Sequence, residues 1–341
     1  MITIDRTILA TPPYNFLKTN PHLGRHMILL GLAGSYAYGT NNENSDIDVR
    51  GIALNQKSDL LGMTSFEQYC DEGTDTVIFG FNKIIRLLLE CNPNTCELLG
   101  LRPEHYLYLS PIGRELLANR KMFLSKRAIQ SFGGYADQQL RRLENALARD
   151  RMKQSDQERH IYNSVRNAMY DFTRRHRVSE YGSLSIYIDK AENPELDTEI
   201  FVDAKLEHYP LRDYKGIWGE MNNIVKEYDK IGKRNRKKDD NHLNKHAMHL
   251  IRLFMMAIDI LTKEEICTYR EEEQELLLKI RRGDFQKEDG TYSTEFYEIL
   301  SDYERRLHQA AEETGLPDEP DLDRVQEFVM SVNERVVRGQ F

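Results

Sequence analysis

Two carboxylates, Asp46 and Asp48, stand one residue apart, and ten residues separate them from a Gly34-Ser35 pair. In a strand, residues i and i+2 point to the same face, so the two carboxyl groups stand side by side. Carboxylates that close repel each other, and a pKa rises unless a cation lies between them. The economical cation is Mg²⁺, a hard ion that takes carboxylate oxygens and bridges them to substrate phosphates. Gly34-Ser35 supplies the complementary half. A glycine lets backbone N–H groups approach a phosphate with no Cβ in the way, and the serine adds a hydroxyl. A phosphate cradle joined to a metal-binding acidic pair is the layout of a nucleotidyl-transfer site.

Further along, Lys245, His249 and Arg252 are spaced i, i+4, i+7, which puts them on one face of a helix. Lys offers a point charge and Arg a bidentate fork, a combination suited to a triphosphate. A solvated basic face is the other reading of the same pattern. In the segment Lys233-Arg234-Asn235-Arg236-Lys237-Lys238, five of six residues are basic. It reads either as a solvated loop between helices or as a grip on an RNA backbone, where each neutralised phosphate adds salt-dependent affinity. Arg174-Arg175-His176-Arg177, close to several tyrosines, is a second candidate for such contact.

These residues need elements to hold them. The apolar run Met27-Ile28-Leu29-Leu30-Gly31-Leu32-Ala33 leads into Gly34, and Ile47 to Leu54 forms a second run around Asp48. Both are short and bounded by Gly or Asn, which predicts strands. Asp75 to Phe79 predicts a third strand, running into a helix over Phe81 to Glu90 that ends before Asn92-Pro93. From Ile112 helices dominate. One long helix is expected from Arg114 to about Ala148, with Gly133-Gly134 as its soft spot, and another from Asp156 to His176. Two brief strands follow at Leu184–Ile188 and Glu199–Asp203. Helix patterns then cover Leu211–Ile231, Asn241–Thr262, Glu271–Arg281, Thr294–Glu313 and Leu322–Val337.

The 341 residues suffice for a substantial core in one large domain or two. Charged residues are 30% and hydrophobic ones 40% of the chain, an ordinary globular balance. The net charge of −8 provides no global basic field for nucleic acid, leaving only local grooves for that purpose. No run approaches the ~20 apolar residues of a membrane span, and the N-terminus lacks the order of a signal peptide. Cys70, Cys91, Cys96 and Cys267 form no Cys-x-x-Cys pair, so reduced thiols in the cytoplasm are expected.

The Gly-Ser, ten-residue, Asp-x-Asp pattern resembles the signature of the DNA polymerase beta nucleotidyltransferase superfamily. Within it the chain is similar to the predicted nucleotidyltransferases that include the RNA-ligase-associated RNA-repair proteins. Later landmarks of that group are Asn92-Pro93-Asn94 with Glu97-Leu98-Leu99, Lys245 to Leu253, Leu278-Lys279-Ile280-Arg281-Arg282-Gly283, and Leu316-Pro317. The resemblance implies an α/β (α+β) nucleotidyltransferase core with a mixed sheet over residues 1–110. A mainly helical domain over 111–341 would complete the nucleotide and acceptor cleft. It also implies a third carboxylate beside Asp46 and Asp48. Asp75 is our choice, with Asp71 and Glu72 as competitors. Mg²⁺ or Mn²⁺ on these aspartates, and an NTP such as ATP held by Gly34, Ser35, Lys245, His249 and Arg252, complete the expected site. The acceptor implied is an RNA end, gripped by Lys233, Arg234, Arg236, Lys237 and Lys238. A protein or small-molecule acceptor, or a non-catalytic nucleotide-binding, antitoxin-like role, is the alternative.

Overall fold

The apolar run ahead of Gly34 is strand β1, Met27–Leu32, and every residue in it is buried. The architecture around it comes from a computed structural model, which describes all residues except 1–5, 44, 151–153, 193, 195, 196, 235–239 and 289. After β1 comes a single helical turn, α1, Gly34–Ala37. Strand β2, Val49–Ala53, the hairpin of β3, Gln68–Asp71, with β4, Thr76–Gly80, helix α2, Phe81–Leu89, and strand β5, Tyr106–Leu109, follow. The five strands form one sheet in the order β3-β4-β2-β1-β5. β1 runs antiparallel to β2 and β5, β3 is antiparallel to β4, and β2 is parallel to β4. The sheet is therefore mixed, as expected of a nucleotidyltransferase core. Leu30, Leu32, Val49, Ala53 and Ile78 pack on one side with Tyr14, Leu23 and Phe66.

Strand limits differ from expectation at the acidic residues. β2 begins at Val49, so Asp46 and Asp48 lie in the segment just ahead of it. The ladder ends at Leu32↔Val49. One further bond, from Ala33 N to Asp48 O at 2.9 Å, reaches beyond it. Gly34 then turns the partner chain away at φ +55°, leaving Asp46 no strand to pair with. β4 likewise starts at Thr76 rather than Asp75, which adopts φ +43° in the hairpin turn. β3 and β5 were not foreseen. Both are four-residue edge strands, and β3 is too polar and exposed to carry an apolar signal.

The chain divides into two compact units, residues 1–141 with 240–341, and residues 142–239. Helices that follow residue 110 occur in both. The helix expected over Arg114–Ala148 is two helices, α3, Pro111–Ala118, and α4, Arg127–Asp150, with a 3₁₀ turn at Arg120–Phe123 between them. The break buries Met122, Phe123 and Leu124 and lets Lys126 N donate to Pro317 O at 2.9 Å. Gly133-Gly134, the expected soft spot, lies within unbroken α4.

In the second unit, α5, Gln154–Arg175, a hairpin of β6, Gly182–Lys190, with β7, Thr198–Leu206, and α6, Leu211–Arg234, enclose Val165, Met169, Phe172, Val178 and Ile217. Arg175 and His176 meet Glu220 at 2.8 and 3.3 Å, and Arg177 meets Glu180 at 3.3 Å, so much of the Arg174–Arg177 charge is paired within this unit. The basic segment of Lys233, Arg234, Arg236, Lys237 and Lys238 lies outside the described residues, save that α6 ends at Arg234.

The first unit is completed by α7, Asp240–Lys263, α8, Gln274–Arg282, α9, Thr294–Glu313, and α10, Leu322–Val337. From Leu250 to Leu261 every residue of α7 is buried, the pattern of a helix enclosed on all sides. That run contains Arg252. The stripe thus passes from exposed Lys245 through half-buried His249 to buried Arg252. Among the described residues no helix is long and apolar enough to cross a membrane.

Candidate active site

Parallel pairing of β2 with β4 sets the acidic side of the site. In the register Val49↔Thr76, the residues just before each strand, Asp48 and Asp75, fall side by side. Val49 N donates to Asp75 O at 3.2 Å, and the two carboxyl groups hydrogen-bond each other. Burial first, then the bond to Asp75 and its charge, push the Asp48 pKa up to about 7. Asp75 is moved the other way, mainly because it accepts that bond, with the Arg50 charge helping. Arg50, which sequence reasoning missed, spans the gap between the strands. Its guanidinium donates to the Asp75 carbonyl and reaches Asp75 Oδ1 at 3.2 Å, so it positions Asp75. Alternation along β2 was the available signal, since Arg50 lies two residues beyond Asp48. Asp71 is occupied elsewhere: its Oδ2 accepts from Thr74 N at 3.0 Å and Thr74 Oγ1 at 2.8 Å, closing the hairpin turn.

Gly34 lies directly against Asp48. A Cβ added at Gly34 would collide with Asp48 Oδ2 and stand 2.8 Å from its Cγ, and the positive φ itself disfavours any other residue. Gly34→Ala should therefore displace the Asp48 carboxyl and cost about 1–2 kcal/mol in backbone strain alone. Chemical denaturation read beside a transfer assay checks this, and an alanine variant as active and as stable as the wild type would refute the close packing.

The opposite charge comes from α7 and α8. Ser35, Ser45, Asp46, Asp48 and Asp75 line one cavity of about 290 Å³ with Lys245, Met248, His249, Arg252 and Arg281. Every side chain read from the sequence as catalytic or nucleotide-binding therefore lines one cavity, apart from Gly34, which lies beneath Asp48. Asp71 and Glu72 do not line it. Arg252 is only 7% exposed; its guanidinium lies 3.3 Å from the centroid of the Tyr38 ring, and Nη2 is 3.0 Å from His249 Nδ1. Burial, then the charges of Arg252 and His246, push the His249 pKa down to about 3. His249 is therefore neutral, accepts from Arg252 through Nδ1 and carries its proton on Nε2. Beneath this pair the Tyr38 hydroxyl donates to Glu97 Oε2 at 2.9 Å. Glu97 stands in one of the landmarks noted above, with its carboxyl raised mainly by burial and eased by the Arg252 charge. At the start of α8, Gln274 Nε2 donates to Gly39 O, which ties that helix to the loop after Ser35.

Carboxylate oxygens are the right donors for the divalent ion that the resemblance implies. Burial and then the neighbouring Asp75 raise the Asp48 carboxyl, a cost that a cation between the two would relieve. Asp46 lines the same cavity. Among the described residues no three His, Cys, Asp or Glu are gathered as ligands of one ion. The carboxylates fit such an ion in type, and Asp48 and Asp75 are the two that the fold brings into contact.

Residues 15–172 match the model of a family described as RlaP, the RNA repair pathway DNA polymerase beta family. The resemblance carried by Gly34-Ser35 and Asp46-x-Asp48 is borne out by that match, and the family description implies a DNA polymerase beta-type nucleotidyltransferase of RNA repair. Lys245, His249, Arg252 and Arg281 fall outside the matched residues. No curated protein and no solved structure matches the chain.

Proposed function

We propose that this cavity transfers a nucleoside monophosphate from an NTP to an acceptor hydroxyl, with an RNA end as the acceptor, and releases pyrophosphate. The observation that supports this most is the mixture of charges lining one small space, three carboxylates with Lys245, Arg252 and Arg281. A plain anion or a plain cation would meet repulsion from half of that set. A metal–nucleotide complex carries both signs at once and suits it.

Asp46, Asp48 and Asp75 would hold Mg²⁺ or Mn²⁺, which when bound polarises the α-phosphate and offsets charge on the leaving pyrophosphate. The chain's own residues supply the rest. Ser35, Lys245 and Arg252 bind the triphosphate, and His249, kept neutral, orients the Arg252 fork through Nδ1. The acceptor oxygen forms its bond to the α-phosphorus in line as the bond to pyrophosphate breaks. Asp75, held by Arg50, or a neighbouring carboxylate receives the acceptor proton. The four cysteines are all free, which suits the cytoplasm.

Incubation with each α-labelled NTP, Mg²⁺ or Mn²⁺ and a pool of RNAs tests the reading. Label in RNA supports it. Label in protein or a small molecule favours the second reading, for which the net charge of −8 speaks. No transfer from any NTP overturns it as an enzyme. For the acceptor, neutralising Lys233, Arg234, Arg236, Lys237 and Lys238 together should flatten log K against log salt by about 3.5, at ~0.7 per single-strand contact. NTP affinity should be unchanged. An RNA salt slope equal to the wild type would remove that segment as the RNA grip.

A further inference from the structure

Arg281 had no assigned role in the sequence, although it stands in one of the group's landmarks. It lies near the end of α8, a helix that packs against α7, and lines the cavity with Arg252. Neither guanidinium has a carboxylate within 4 Å among the described residues, although the chain forms many arginine–carboxylate pairs elsewhere. The next residue on the helix shows the contrast, since Arg282 meets Glu275 at 3.2 Å and Asp284 at 3.1 Å. The Nε atoms of both Arg252 and Arg281 are buried and take no hydrogen bond. Burial, then repulsion from Arg252, disfavours the charge on Arg281.

Arg252 stacks on Tyr38 and donates to His249, but with Arg281 half-buried beside it and no carboxylate within 4 Å of either, two like charges facing one cavity destabilise the fold in the absence of a ligand. Their donors stay available at the point where the acidic residues would place a metal-bound phosphate. We propose that Arg281 and Arg252 form a two-arginine clamp for the β- and γ-phosphates of the NTP, with Arg281 a direct ligand of the triphosphate. This deepens the proposed nucleotidyl transfer and rests on that reading for the identity of the ligand. The clamp explains how the site would tell a triphosphate from a monophosphate, since the α-phosphate alone leaves one guanidinium unmatched. It also places positive charge on pyrophosphate, the leaving group, where negative charge develops.

Inorganic tripolyphosphate and pyrophosphate with Mg²⁺ are suitable probes, because neither depends on the base or the acceptor. In calorimetry Arg281→Gln should weaken tripolyphosphate binding about 10- to 100-fold, the range of a charge-assisted contact. Arg281→Lys should fall between the two, and Arg282→Gln should match the wild type. Without ligand, Arg281→Gln should melt at or above the wild-type temperature, a result that a merely structural arginine would not give. Wild-type protein that fails to bind tripolyphosphate, or an Arg281→Gln variant that binds it equally well, overturns the clamp, as does a ligand-free Arg281→Gln protein that melts lower. Failure of the enzyme reading is separate: there tripolyphosphate binds and depends on Arg281, while no NTP yields a transferred label.

Discussion

Asp48→Asn should lower transfer about a thousandfold, ~4 kcal/mol at about 1.36 kcal/mol per tenfold, while leaving the metal-free protein at least as stable as the wild type at about pH 8. The two halves of this result have one cause. In the folded chain Asp48 is pushed up to about 7 by burial and by Asp75, whereas an unfolded Asp ionises near about 3.9. The folded state thus binds the proton more tightly, and stability falls as pH rises from about 4 to about 7. Asparagine cannot ionise, and its Nδ2 can donate to Asp75 as the protonated acid does. The variant should lose that decline, and its melting temperature at pH 8 in chelator-treated buffer should equal or exceed the wild type's.

Mg²⁺ turns the comparison around. If it is held by these carboxylates, it should raise the melting temperature of the folded wild type, because any ligand of the folded state alone stabilises it. The Asp48→Asn protein, short of one ligand, should respond little. Near-wild-type turnover of Asp48→Asn in Mg²⁺ would defeat the metal assignment. A variant that unfolds easily in metal-free buffer would defeat the claim that the acidic pair is strained by its own charge.

The features legible in the sequence were those fixed by short spacing. Gly34 and Asp48 lie at the facing ends of two short, adjacent strand runs, and antiparallel pairing of those runs sets them in contact. The helices Thr294–Glu313 and Leu322–Val337 have the limits that their periodicity indicates. What escaped depends on partners distant in the chain. The interruption between α3 and α4 is stabilised by a bond to Pro317 that no local pattern encodes. β3 and β5 exist because neighbouring strands offer them an edge. Arg50 and Arg281 acquire meaning only when parallel pairing sets Asp48 beside Asp75 and when α8 packs on α7. The stripe of Lys245, His249 and Arg252 was readable as one face, but the burial of Arg252 was not. That depended on Leu250, Ile251, Leu253 and Phe254 being enclosed, which places Arg252 inside the core and against Tyr38.

That burial leads to a large effect of pH on folding. His249 titrates at about 3 in the folded chain and near about 6.5 when unfolded. Its folded pKa is depressed, so the unfolded state takes up a proton that the folded state refuses. The stability is fully present above about pH 6.5 and is lost as pH falls from there toward about 3, at up to about 1.36 kcal/mol per pH unit. From about pH 6.5 to about 4.5 the loss is about 2–3 kcal/mol. Arg252 donates to its Nδ1, His246 adds like charge when protonated, and the Tyr135 ring packs edge-on at 5.5 Å; burial and these charges outweigh the carboxylates of Asp46, Asp48 and Asp75 that line the same cavity. His26 and His105 are also lowered, mainly by burial, and steepen the acid loss in any variant that keeps them. The difference between wild type and His249→Gln therefore isolates this residue. Gln can still accept from Arg252 through Oε1 but has no proton to gain. Urea titrations at about pH 7.5 and 4.5 should show the wild type losing about 2–3 kcal/mol more than His249→Gln between the two pH values. Equal losses would mean that His249 titrates normally, and the neutral acceptor that orients Arg252 would have to be given up.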